Sequence, residues 1–241
     1  MPPQITMSKI LIIADLHLTS VESDKLDLFC RFCQNEAAQA NQLYVLGDLF
    51  NTWIGDDISL PEYQVVINCL KQLSQSTELF VMFGNRDFLL AKKFEQQSGC
   101  TIISEPHLVT HDNQDYILLH GDSFCTDDVD YQKMKKALRN RLVQSIFLSF
   151  PKKWRLKLSG EIRKKSIQAQ SYKSEKIMDV NQQSVDKFMA NYPGAHLIHG
   201  HTHRQNTHPN KSYTRYVLGD WSSTQGNAIS LDESLERLEI H

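Results

Sequence analysis

Short apolar runs that end in glycine, aspartate or histidine loops, separated by stretches of helical spacing, constrain this chain more than any other feature. Residues 9–14, 42–46 and 78–83 are such runs, and between them lie longer segments, roughly 22–40 and 61–76, whose apolar residues recur at helical intervals. Strand, loop and helix in repetition predict an α/β fold, a sheet with parallel strands joined by crossover helices. The run 116–119 and the alternating stretch 213–218 extend the strand part, and residues 226–240 are expected to add further strands.

Each run leads into a loop of similar chemistry. Asp15-Leu16-His17 comes after the first, Gly47-Asp48-Leu49-Phe50 after the second and Gly84-Asn85-Arg86-Asp87 after the third. The run 116–119 leads into His120-Gly121-Asp122, and Leu197-Ile198 leads into His199-Gly200-His201-Thr202-His203. Loops at the carboxyl ends of the strands in an α/β sheet converge on one rim, where ligands bind. Hard oxygens combined with imidazole nitrogens suit divalent Mn, Fe, Co or Zn. In Asp-x-His and His-x-His an extended backbone puts both side chains on one side. A lone Gly-Asp is usually a turn, and a lone histidine after a strand is usually a satisfied surface or core residue. Five such loops in order at strand ends are a different matter. His199 is left out of the ligand set because alternation turns it away from Gly200, while Asp87, Asp122 and Asp220 are candidates to orient the ligands.

Between about 129 and 177 the rhythm breaks into a basic, helix-prone segment interrupted at Phe150-Pro151, where a proline ends or kinks a helix. From Lys133 to Lys176 there are 14 Lys or Arg and two acids, Glu161 and Glu175, a net of about +12 within a chain of net −2. Segregation of this size asks for an anionic partner. Leu138, Leu142, Ile146, Phe147, Phe150, Trp154, Leu156 and Leu158 lie among these charges, a pattern that fits an acyl-chain cleft beside an anionic membrane surface. Some of them must instead dock the helices onto the core. The expected organisation is a core of residues 7–128 and 178–241 carrying a helical basic insertion, 129–177.

The apolar runs are too short to cross a bilayer, and the N-terminal residues lack the basic and apolar segments of a signal peptide. Five scattered cysteines argue against a disulfide framework and suit a reducing compartment. Cys30 and Cys33 form a C-x-x-C, but on a segment of helical spacing, where both thiols are expected to pack on the buried face.

Asp15-x-His17, Gly47-Asp48, Gly84-Asn85-Arg86-Asp87, His120 and Gly200-His201-x-His203 together resemble the calcineurin-like metallophosphoesterase superfamily. The resemblance implies a four-layer α/β/β/α sandwich with two divalent ions, Mn²⁺ being the expected pair. It implies Asp15, His17, Asp48 and His203 on one ion and Asp48, Asn85, His120 and His201 on the other, with Asp48 bridging. Ala14-Asp15-Leu16-His17-Leu18, Asn85-Arg86-Asp87-Phe88-Leu89, Lys176-Ile177-Met178-Asp179-Val180 and the insertion resemble, more narrowly, the branch of pyrophosphatases that cleave UDP-2,3-diacylglucosamine to UMP and lipid X in lipid A assembly. From that branch Asn85, Arg86, Asp128, Ser166, Gln170, Lys173 and His201 are expected to contact substrate, although the branch carries Asn where this chain has Gln170. Asp48, Asn85, Arg86 and His201 are the catalytic candidates. The chemistry expected is attack on the α-phosphorus by hydroxide generated between two ions. The partners expected are a nucleotide-lipid and the cytoplasmic face of the inner membrane, with no nucleic acid and a monomeric chain. A soluble phosphodiesterase or nuclease is the main rival, and aromatic residues able to stack bases are sparse in the basic block. A scaffold that has lost the chemistry is the weaker rival, since every ligand is present.

Overall fold

The run that opens the sheet is apolar at every position because both of its faces are covered. The computed structural model describes residues 8–171 and 179–241, without the side chains of Lys165, Ile167, Ala169, Gln170 and Ser171. In it, β1 (Ile10–Ile13) sends Leu11 and Ile13 into one apolar cluster and Ile10 and Ile12 into another. A strand buried on both sides has no polar face to alternate with. Parallel to β1 run β2 (Gln42–Val45), β3 (Glu78–Val81) and the two-residue β4 (Thr101–Ile102). On the other side β10 (Gly226–Leu231) and β11 (Leu235–Ile240) add antiparallel, giving the order β11-β10-β1-β2-β3-β4.

A second sheet holds β5 (His107–His111), β6 (Gln114–Leu119), β7 (His196–His199), β9 (Thr214–Val217) and β8 (Asn206–Pro209), in that spatial order. Ile10, Ile12, Tyr44 and Met82 from the first sheet meet Leu118, Ile198 and Leu218 from the second between the layers. Phe29 and Phe32 of α1 (Ser23–Gln34), Ile67 and Leu70 of α3 (Gln64–Leu73) and Phe94 of α4 (Lys92–Ser98) cover the outer face of the first sheet. Val185 and Met189 of α8 (Gln182–Met189) cover the second. The layers are therefore α/β/β/α, the sandwich expected.

Three local features differ from expectation. The segment 61–76 is part of two helices, α2 (Asp56–Glu62) and α3, which meet at Tyr63. β8 carries no apolar run because it is an edge strand of exposed or half-buried residues. Cys30 does not pack as a thiol: its sulfur is bonded to Cys69 of α3, whereas Cys33 is buried and free. The cause is the side-by-side packing of α1 and α3, which brings the two Cα atoms to 5.9 Å.

After Asp122, three helices project from the core: α5 (Val129–Leu138), α6 (Arg141–Ser149) and α7 (Lys152–Ser171). Asp128 caps α5 by accepting from Tyr131 N, and Asn140 caps α6 by accepting from Leu142 N. Phe150, ahead of Pro151, is extended and ends α6. Side chains from all three helices dock them on the core. Arg155 is 3% exposed and donates through Nη1 to Ile54 O and to Asp57 Oδ1, each at 2.9 Å. Phe147 packs against the core cluster, and Arg139 donates to Gly84 O. Leu142, Ile146, Trp154, Leu156 and Leu158 stay exposed.

Candidate metal centre

The loops at the strand ends depart sharply from ordinary backbone geometry. Asp15, His17, Asp48, His201 and His203 all adopt positive φ, between 49° and 69°. Side chains with a Cβ rarely occupy that region, and non-glycine outliers cluster where surrounding structure holds a site in place. Here the holding groups are identifiable. Asp15 N donates to Gly47 O, His17 N to Asp48 O and His201 N to Asp15 Oδ2. The fully buried Asp87 carboxylate accepts from Gly84 N and Leu49 N at 2.8 Å, and from Asp48 N and Phe50 N at 3.4 Å. Close approach also fixes two glycines. A Cβ on Gly84 would meet Asp48 Oδ1 at 2.0 Å, and one on Gly200 would meet Asp15 Oδ2 at 2.1 Å.

These constraints gather the expected ligand atoms into two adjoining groups. In one, His17 Nε2 lies 3.0 Å from His203 Nε2, and His203 Nε2 lies 3.6 Å from Asp15 Oδ1. In the other, His120 Nε2 and His201 Nδ1 are each 3.1 Å from Asn85 Oδ1 and 3.2 Å from each other. Asp48 Oδ2 stands between, 3.8 Å from His17 Nδ1 and 4.0 Å from His120 Nε2. Neighbouring donors on one ion with bonds near ~2.1 Å are separated by ~3 Å, and the contacts of 3.0–3.2 Å in each group match that spacing. The hydrogen bonding agrees. Asp15 Oδ1 is buried and has no hydrogen-bond partner, an expensive state that a cation would relieve.

Electrostatics favours ligating protonation states at two positions. Burial, aided by the charge of Arg86, holds His17 down at about 2, and burial with the charge of His120 holds His201 at about 3. Both therefore present neutral imidazole lone pairs at neutral pH. His120 is raised to about 9, because Asp48, Asp122 and Asp15 outweigh the opposing effect of its burial.

Arg86 places its Nε 3.8 Å from Asp48 Oδ2, and its backbone N–H donates to Asp48 Oδ1. Asp128 is buried at the start of α5, and Ser166 is half-buried on α7. Lys173 and the side chain of Gln170 lie outside the described residues. His199 is buried and lies in neither ligand group; its ring faces Gly200 O and Arg215, so alternation does not turn it away from Gly200 as expected. Of the suspected orienting carboxylates, Asp87 braces the loops and Asp122 accepts from Lys135 Nζ and Tyr131 Oη, while Asp220 stands 3.6 Å from His203 Nδ1. Sequence reasoning missed Glu105, which accepts from His120 N, and the ring of Tyr131 beside His201. Neither carried a motif. It also missed Asn51, although that residue directly follows Gly47-Asp48-Leu49-Phe50.

Fold and rim define the class: the calcineurin-like phosphoesterase family matches residues 8–205, and the chain belongs to it. Curated relatives narrow the comparison. The chain is 40% identical over 225 residues to a UDP-2,3-diacylglucosamine hydrolase of Haemophilus influenzae strain PittGG, covering 93% of this chain and 95% of that one. It is 41% identical over 226 residues to the protein of that name from Serratia proteamaculans, covering 92% and 94%. It is 44% identical over 216 residues to the one from Yersinia pestis, covering 88% and 90%.

Proposed function

We propose that this chain hydrolyses the pyrophosphate of UDP-2,3-diacylglucosamine to UMP and 2,3-diacylglucosamine 1-phosphate, using two Mn²⁺ ions, at the cytoplasmic surface of the inner membrane. The observation that carries this reading is the match to relatives of that name over about nine-tenths of the chain, a span that includes most of the insertion. The residues at the rim support it. Asp15, His17, Asp48 and His203 would hold one ion, and Asp48, Asn85, His120 and His201 the other. Bound divalent ions supply Lewis acidity that lowers the pKa of water and polarises phosphoryl oxygen. The chain's own contribution is positioning and charge. Asp87 and Gly84 keep Asp48 against Arg86, whose guanidinium neutralises charge developing on the phosphoryl group. A sugar phosphate leaves as a weak base, so no strong general acid is required.

The insertion supports the lipid half of the reading. Leu142, Ile146, Trp154, Leu156 and Leu158 are exposed beside a block of basic residues, the composition of a surface that meets acyl chains and anionic headgroups. No helix among the described residues is long and apolar enough to cross a membrane, so attachment would be peripheral. The test is a product assay on UDP-2,3-diacylglucosamine in detergent with Mn²⁺ or chelator. Release of UMP and the acylated sugar phosphate, lost on chelation, is expected. Turnover of a generic phosphodiester without turnover of the lipid nucleotide would discard the substrate assignment and leave the metal centre standing.

A further inference from the structure

Asn51 sits between two arginines from different parts of the chain. Its side-chain oxygen accepts from Arg86 Nη1 at 2.8 Å and from Arg163 Nη2 at 2.7 Å. Arg86 belongs to the loop after β3, and Arg163 belongs to α7 of the insertion. Arg163 is anchored further through Nη1, which donates to Asn51 O at 2.9 Å and to Thr52 Oγ1 at 2.6 Å. Asn51 itself is fixed by its backbone N–H, which donates to Leu18 O next to the Leu18–Phe50 bridge.

Two guanidinium ions sharing one neutral acceptor repel each other, and the surroundings do little to offset this. Among the described residues no carboxylate pairs with Arg163, and Arg86 has only Asp48, at 3.8 Å, whose charge the metal centre also claims. Arg163 is half-buried, and both its burial and the charge of Arg86 lower its pKa. Donors remain as well as charge: among the described residues the Nε–H of Arg163 and the Nη2 group of Arg86 make no hydrogen bond. A close pair of cations with spare, planar donors matches a phosphoryl group, which can accept from two guanidiniums at once.

We propose that Arg86 and Arg163, bridged by Asn51, form a subsite for a second phosphoryl group, next to the one held at the metal centre. The inference deepens the diphosphate reading and rests on it. Asn51 acts as a positioning residue. As a neutral acceptor it holds both cations in place without cancelling either charge. Arg163 supplies the added recognition, so the insertion contributes directly to choosing a diphosphate over a single phosphoryl group.

Calorimetric titration of the Mn²⁺-loaded enzyme with UDP and with UMP tests this without using the lipid or turnover. The native chain should bind UDP at least about tenfold more tightly than UMP. Arg163→Met should bring the two affinities to within about threefold by weakening UDP alone. Asn51→Asp separates recognition from structure. Its carboxylate accepts both guanidinium bonds, so the melting temperature should hold or rise, yet its charge should still erase the UDP preference. If Asn51 merely staples the insertion to the core, Asn51→Asp binds UDP as the native chain does, and that result overturns the proposal. Equal native affinities for UDP and UMP would overturn it too. The two readings fail separately: absent turnover of the lipid nucleotide with the UDP preference intact sinks only the substrate assignment, and the reverse result sinks only the subsite.

Discussion

The metal rim and the helical insertion invert each other's surface logic. At the rim, charged and polar ligands are buried: Asp15, Asp48 and His120 are 1% exposed or less. On the insertion, large apolar side chains are exposed, with Leu142 and Trp154 each at 69%. Either arrangement is costly for a chain that only has to fold, since buried charge and exposed apolar surface both oppose stability. The rim is overdetermined by backbone hydrogen bonds and close glycine contacts, so its strained residues stay in place. The insertion is docked by side chains from each of its helices and leaves several large apolar side chains exposed. One region is built to hold atoms at fixed distances. The other leaves large apolar side chains in solvent.

The comparison breaks most decisively at Asp48. Its carboxylate stands between both ligand groups, so Asp48→Ala should reduce kcat by more than ~10³-fold, or over ~4 kcal/mol of transition-state stabilisation. Metal analysis of the purified variant should show loss of bound ion while circular dichroism stays native. Near-normal turnover would show that the cluster is not the catalytic centre. Asp87→Ala attacks the rim from behind. Four buried backbone N–H groups lose their acceptor, and the expected destabilisation is about 3 kcal/mol. Urea unfolding measures it, and a change below about 1 kcal/mol would mean that the loops hold without it.

The insertion should respond differently. Leu142→Ser with Trp154→Ser removes two exposed apolar side chains that belong to none of the core clusters. Partial burial of the pair in a bilayer is worth about 2 kcal/mol, so binding to anionic vesicles should fall by about 30-fold. Cleavage of a small soluble phosphodiester should stay within twofold of native. Loss of both activities would mean that these residues support the core, and the contrast between the two regions would disappear.

Legibility in the sequence divides along the same line. The rim was legible because each candidate ligand adjoins a strand whose apolar run is unmistakable, and Asp-x-His or Gly-His-x-His survives as a local pattern. The distance between His17 and His203 depends on two loops 186 residues apart, yet strand-end convergence predicts their meeting. The insertion was legible only as composition. Among 14 basic residues nothing in the sequence separates Arg155 and Arg163, which make specific contacts, from lysines that remain solvated. The Cys30–Cys69 bond was missed because it depends on how two helices lie against each other, which no local pattern encodes. The same holds for β8, an edge strand without an apolar run.

One ion pair between the two regions gives the smallest expected effect and a sharp test of how the insertion is held. Arg155 is buried and pairs with Asp57, whose side chain is 41% exposed. The hydrogen bond from Arg155 holds the Asp57 carboxyl below its ordinary value, against the opposing effect of burial. A carboxylate with a lowered folded-state pKa contributes stability that is present above its unfolded value. That contribution is lost as pH falls through the lowered folded value. Exposure screens the pair, so removing it should cost less than about 1 kcal/mol. Between neutral pH and about pH 5 the docking of α7 on the core should therefore not change. Below roughly pH 4 it should loosen, with faster amide exchange in residues 152–164 ahead of the core strands. Asp57→Asn should show the faster exchange already at about pH 7 and lose its pH dependence in that range. If native and Asp57→Asn chains exchange alike at neutral pH, the remaining contacts of α7, Arg155 to Ile54 O and Arg163 to Asn51, together with the packing of Phe147, hold it without the Asp57 charge.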